Sequence, residues 1–140
     1  MTSVPISDGG EGFIDCLLQT LNKKDPTSPH QRLEKIDLKV RGALPGTQNP
    51  NGIILIDSST DTAYLEVANL CGLQQIPKDK RDPFLASSYA VGEAMRYCYD
   101  VKGIKKFVIG SGGSAFSDAG FGAVRALEVF DFFDHENKII

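Results

Sequence analysis

The sequence predicts a single α/β domain over residues 1–140, with a partly parallel sheet, flanking helices and a Rossmann-like layout. Three observations carry this expectation. Short β-rich segments alternate with segments of helical periodicity, the pattern of a layered α/β fold. Strands joined through helices are free to pair in parallel. No internal repeat and no low-complexity linker divides the chain.

Taken in order, Val4–Ser7 reads as the end of a strand. Glu11–Lys23 reads as a helix, because Phe13, Leu17, Leu18 and Leu21 recur at helical spacing and Asp8-Gly9-Gly10 turns the chain into it. Two prolines in Asp25–Pro29 break that helix. Leu33, Ile36, Leu38 and Val40 mix with charged residues, as in a strand exposed on one face. Gly42–Gly52 is rich in Gly, Pro and Asn and reads as a loop, followed by a short apolar strand at Ile53–Ile56 and a polar turn over Asp57–Thr62. Asp61 or Thr62 is placed to cap a helix running through Cys71 and closed by Gly72. Ile76–Pro83 reads as a charged loop and Ser87–Val101 as a helix with Gly103 just past its end. Lys106–Ile109 is a short β-rich strand, and a last helix is expected from Ser117 or Asp118 to Phe130.

Composition narrows the function classes. The net charge is −3, which gives no general attraction to nucleic acid or to anionic membranes. Apolar runs such as Ile53–Ile56 fall far short of the roughly 20 residues that span a bilayer, and Met1–Pro5 does not open like a secretory signal. Cys16, Cys71 and Cys98 are odd in number and widely spaced, so they read as reduced, partly buried thiols in helices rather than a disulfide framework or zinc site. A cytoplasmic protein is expected on that ground. His30 and His135 have no metal-like neighbours in sequence and read as surface residues.

Two segments could carry chemistry. In Gly110-Ser111-Gly112-Gly113-Ser114, glycines after a strand allow close backbone approach, and amides at the next helix start favour an anion such as phosphate. Asp118 follows, a carboxylate able to hold Mg²⁺ or accept a hydroxyl proton. A tight turn in which Ser117 or Asp118 only caps the helix accounts for the same residues. The segment lacks the Gly-Lys-Ser/Thr ending of a P-loop. It does fit a loose dinucleotide fingerprint from Gly110 to Ala115, with Asp131 or Asp134 near the position of the expected acid. In Asp8-Gly9-Gly10-Glu11-Gly12, Asp8 and Glu11 either bind a metal or substrate hydroxyl, or merely favour the helix dipole. Glu66 lies among apolar residues of the expected helix, where an acid usually faces solvent. Ser87-Ser88 opens another helix, where serine usually caps.

Four ordered segments resemble the type I glycerate kinase family. They are Asp8–Gly12, Leu65-Glu66-Val67-Ala68 with Gly72-Leu73, Asp82-Pro83 with Ser87-Ser88-Tyr89-Ala90-Val91-Gly92-Glu93, and Ile109–Gly120. The departures are Ser117 where the family has Asn, and Ala90 and Ala119 where it has Gly. The resemblance implies ATP-dependent phosphorylation of glycerate with Mg²⁺. Gly110, Gly112, Gly113 and Ser114 would line an anionic group. Asp118 and Asp8 would hold the metal or accept the hydroxyl proton, and Glu11, Glu66, Ser87 and Ser88 would position substrate. Family members are longer. Their opening strand and an Asp-Ser-Phe-Lys-Gly segment are expected before Val4, and a further portion after Ile140. The 140 residues by themselves are therefore expected to be inactive and to self-associate through an incomplete sheet. Lys78, Lys80 and Arg81 are the nearest loop cations. Two other classes stay open: a non-catalytic remnant that binds an anion or a partner, and a nicotinamide-dependent oxidoreductase using the Gly110 segment.

Overall fold

The computed structural model describes residues 5–24, 33–128, 133, 135–136 and 138. The elements run α1 (Phe13–Lys24), β1 (Leu33–Arg41), β2 (Gln48–Asp57), β3 (Thr62–Glu66), α2 (Val67–Cys71), α3 (Tyr89–Lys102), β4 (Lys106–Gly110) and α4 (Phe121–Ala126). Short 3-10 turns at Leu73–Gln75 and Lys78–Lys80 join α2 to α3.

The sheet order is β1-β2-β3-β4. β1 pairs antiparallel with β2, β2 antiparallel with β3, and β3 parallel with β4. The expected partly parallel sheet is therefore an antiparallel meander with one parallel pair added through α2 and α3. In this arrangement β1, β3 and β4 all point the same way, so their carboxyl ends, Arg41, Glu66 and Gly110, fall along one rim. Ligands in α/β sheets collect beyond the carboxyl ends of parallel strands, here those of β3 and β4.

Side-chain alternation places the helices. Glu34 and Lys35 are adjacent in β1 and so point to opposite faces. Lys102 of α3 donates to Glu34 at 2.9 Å, and Lys35 reaches Asp15 of α1 at 3.5 Å. Thus α3 and α1 lie on opposite faces of the sheet. The α3 face holds the core: Ile54, Ile56, Ala63 and Leu65 from the strands meet Ala90, Val91, Ala94 and Cys98 of α3. Ile36, Leu38 and Val40 join it from β1, while Lys35, Asp37 and Lys39 stay exposed, which matches the expected one-sided strand. Helix α3 ends at Gly103, whose φ of 69° lets its amide close back on Tyr99.

Four expected elements differ. The helix expected up to Cys71 is β3 followed by a five-residue helix. Thr62, Ala63, Leu65 and Glu66 are all buried, so no polar alternation marks the strand, and a short apolar run of that kind fits either template. The Gly42–Gly52 loop gives way at Gln48 to β2, which tolerates Pro50 and Gly52 because the pairing with β1 shifts register between Leu38 and Val40. The last helix starts at Phe121, three residues after Asp118, because Ala119 and Gly120 take left-handed conformations (φ 52° and 79°). Val4, Asp25–Pro29 and Phe130 lie outside the described residues, and Pro5–Ser7 forms no strand.

Candidate functional site

The two glycine-rich segments, about a hundred residues apart in sequence, pack directly on each other. The Gly112 amide donates to Gly9 O at 3.1 Å. A Cβ on Gly112 would lie 2.6 Å from Gly10 N, and one on Gly110 would lie 2.6 Å from Gly9 O. Only hydrogen at those positions allows two backbones to come so close. Gly9, Gly12 and Gly113 also take positive φ (90°, 83° and 68°), which fixes the shape of both turns. The Gly110 turn is tied on its other side by Leu73 N to Gly113 O at 2.9 Å and by a bridge between Gly72 and Ser114. Ser114 Oγ donates to Ser111 O at 2.8 Å, so its hydroxyl shapes the turn. The Gly113 amide, in an exposed part of the turn, donates to no acceptor among the described residues.

The carboxylates divide into two kinds. Asp8 and Glu11 are exposed beside the paired turns; Asp8 Oδ1 accepts from Gly10 N at 2.8 Å, and Glu11 Oε1 lies close to Gly113. Glu66 and Asp118 are occupied by the fold. Glu66 is buried at the end of β3, opposite Gly110 in register, and accepts from Gly12 N at 3.1 Å and Ile14 N at 3.0 Å. That corrects the expectation of a solvent-facing acid inside a helix: β3 delivers it into the interior, against the start of α1. Asp118 Oδ2 accepts from Ser88 N (2.8 Å), Ser88 Oγ (2.8 Å), Ser87 Oγ (3.3 Å) and Gly122 N (3.0 Å), while Oδ1 accepts from Gly120 N at 3.1 Å. Partial burial pushes the Asp118 carboxyl up, but these donors outweigh it and hold the group below its ordinary value.

Ser87 and Ser88 are drawn into the same network. The buried Ser88 hydroxyl also accepts from Ala123 N at 2.9 Å, and Ser87 Oγ accepts from Tyr89 N at 3.2 Å. Asp118 and the two serines thereby fasten the starts of α3 and α4 together. Their hydroxyls serve the fold first, but differently from the expected capping: Ser88 makes no side-chain bond to its own helix and accepts from α4 instead, and only Ser87 accepts from the first amide of α3. Among the described residues, no three His, Cys, Asp or Glu side chains converge as a metal cluster.

One cation was not singled out from sequence. Arg41 ends β1 with its guanidinium 4.0 Å from the Tyr89 ring centroid and 3.6 Å from Glu93, beside the start of α3. Its signal was its place at the end of a strand, visible only once β1 is known to run parallel to β3. Lys78, Lys80 and Arg81 sit in or just after an exposed 3-10 turn, and no hydrogen bond or ion pair among the described residues joins them to the Gly110 turn. His135 is exposed; His30, Asp131 and Asp134 lie outside the described residues.

Compared with known proteins, the sequence matches the glycerate kinase family over residues 1–140. The chain belongs to the glycerate kinase family. It is 33% identical over 137 residues to a glycerate kinase of Bacillus cereus, covering 98% of this chain and 32% of that one. It is 33% identical over 125 residues to a glycerate 2-kinase of Escherichia coli, covering 89% and 29%. The crystal structure assigned to glycerate kinase 2 of Salmonella typhimurium LT2 superposes with a TM-score of 0.77 at 29% identity, over 99% of this chain and 34% of that one. The chain thus spans about a third of the length of these relatives. The paired turns and Glu66 lie together at the carboxyl ends of β3 and β4, and the Ser87-Ser88-Asp118 network follows four residues after Ser114. Among the described residues no helix is long and apolar enough to cross a membrane.

Proposed function

We propose that this chain forms part of a kinase that transfers a phosphoryl group from ATP to a hydroxyl of glycerate. The observation that carries the reading is the direct packing of the Asp8–Gly12 and Gly110–Ser114 turns at the carboxyl ends of parallel strands. That packing puts exposed carboxylates beside a turn with an undonated amide, so one edge offers partners for both a phosphate and a hydroxyl. Family membership and the named relatives support glycerate as the acceptor.

In this reading the turn of Gly110, Gly112, Gly113 and Ser114 lines an anionic group, the nucleotide phosphate or the glycerate carboxylate, with the Gly113 amide as donor, while Gly110 and Gly112 serve by close packing on Gly9 and Gly10. Asp8 and Glu11 take the substrate hydroxyl. Mg²⁺ is commonly held by one or two carboxylates together with substrate phosphates, so Asp8 suits it without a larger acidic cluster. The bound ion would neutralise phosphate charge. Asp118, held ionised and well bonded, is a poor proton acceptor; it suits a cation through Oδ1, and otherwise fixes the helix starts. Ser87 and Ser88 position substrate through that network rather than by free hydroxyls.

The test is ADP release by the intact protein, followed with and without glycerate in the presence of MgATP. Glycerate-dependent release is expected. Tight binding of NADP with no binding of MgATP would sink the kinase reading and restore the oxidoreductase one.

A further inference from the structure

The family resemblance casts Glu66 as a substrate-positioning residue, but in the fold its carboxylate is bonded to the Gly12 and Ile14 amides. Glu66 is 7% exposed. A buried carboxylate needs partners, and here they are two backbone amides 54 and 52 residues away, Gly12 to Oε1 and Ile14 to Oε2. Those amides belong to the residue just before α1 and to its first turn, where helix geometry leaves donors without partners and the helix field favours negative charge. In many helices the acids just before the first turn would cap it. Here Asp8 turns back to its own loop at Gly10, and Glu11 leans toward Gly113. Glu66 caps the helix from another element, and the nearby acids are left at the surface.

The same contact sets the loop's position. Glu66 sits opposite Gly110 in the β3–β4 register. The Asp8–Gly12 loop is therefore held at one end by Glu66 and in the middle by the Gly112-to-Gly9 bond. A cavity of about 70 Å³ bounded by Gly12, Ile14, Lys35 and Asn69 adjoins the carboxylate, so close packing from that side does not hold the loop in its stead. We propose that Glu66 is a positioning residue, which latches the Asp8–Gly12 loop against the Gly110–Gly113 turn so that Asp8 and Glu11 face the ligand. The proposal rests on the reading that these two turns form the substrate edge.

The experiment compares Glu66→Gln and Glu66→Ala with wild type in the intact protein, by residue-resolved amide exchange and by steady-state turnover of glycerate and MgATP. Gln keeps one acceptor but presents its amide NH2, a donor, to the second N–H; Ala keeps none. Exchange at Gly12 and Ile14 should speed up at least about tenfold in Gln and more in Ala, while amides of β3 and β4 hold their rates. Turnover should fall in the same order, in kcat, with KM for glycerate within about threefold, the pattern of lost transition-state alignment. Because Ala risks unfolding, Gln is the deciding variant. Unchanged exchange at Gly12 and Ile14 in Gln overturns the latch. A rise in KM with kcat intact overturns it too, since Glu66 would then touch substrate. Faster exchange with full turnover overturns the functional part. The exchange arm needs no catalysis, so a wild-type protein that phosphorylates nothing defeats the kinase reading, while the latch is still decided by the two amides.

Discussion

Replacing Gly112 with alanine tests the contact on which the functional reading depends. Gly112 does not have positive φ, so alanine suits its backbone. What alanine does not suit is the space: the added Cβ would lie 2.6 Å from Gly10 N and 2.7 Å from Gly10 Cα, whereas ordinary contact is 3.4–4 Å. Both obstacles are main chain, so no side-chain rotation relieves them, and the two turns must separate by about 1 Å. Overpacking of this size costs about 1–3 kcal/mol. The Gly112-to-Gly9 hydrogen bond, 3.1 Å in the native fold, is stretched beyond use at a further cost of about 1 kcal/mol. Reduced freedom of the unfolded chain returns about 0.4–1 kcal/mol. The net loss is about 2 kcal/mol, several degrees of melting temperature, with the fold retained. Turnover should suffer more, because misplacing reacting groups by about 1 Å lowers rates about 100-fold. The assay is glycerate-dependent ADP release, normalised to folded protein by thermal melting. Gly103→Ala is the control. Its φ of 69° strains alanine by about 1 kcal/mol, but nothing lies within 4 Å of the new Cβ and the residue is far from the turns in the fold. Turnover of Gly112→Ala within about threefold of wild type, or equal losses in both variants, would refute the claim that the turn-to-turn contact aligns the site.

Two further predictions concern the Asp118 network and the cysteine thiols. Asp118→Asn should lower stability by about 1–2 kcal/mol, because one of the two acceptor oxygens is lost from a five-donor network, the figure being reduced for partial solvent exposure. Since the native Asp118 carboxyl titrates below its ordinary 3.8, it stabilises the fold above that pH, and the contribution drains away as pH falls through the lower native value. The Asn variant should therefore show a shallower acid-side loss of stability; equal acid titration curves for the two proteins would contradict this. Burial pushes the Cys71 thiol up to about 12, with the Asp118 charge adding to it, and burial pushes Cys98 up to about 11. At pH 8 an aromatic disulfide reagent should modify half-buried Cys16 quickly and the other two only on unfolding, and two or more fast thiols in the native state would show that the α3 core is more open than described.

Much of the layout was legible in the sequence, because the relevant signals are local. Phe13, Leu17 and Leu21 repeat along one helix face, Leu33 to Val40 alternate along one strand, and Gly103 stops α3 by its own left-handed conformation. The Asp8–Gly12 and Gly110–Ser114 turns stood out because clustered glycines weaken helices and strands alike, and so mark places where the backbone must bend sharply or be closely approached. The hairpin partner β3 was read as helix, since both faces of that strand are buried and its residues carry no period. The chain by itself thus determined which residues were available for chemistry, and that two acid-bearing turns existed. Tertiary structure alone decided that those turns touch, that Glu66 serves α1 rather than solvent, and that Asp118 reaches the start of α3 as well as that of the helix following it. The physical reason is distance along the chain: these contacts join residues 30 to about a hundred positions apart, and the strand register and helix packing that bring them together are set by burial of the whole core, which no local window of sequence records.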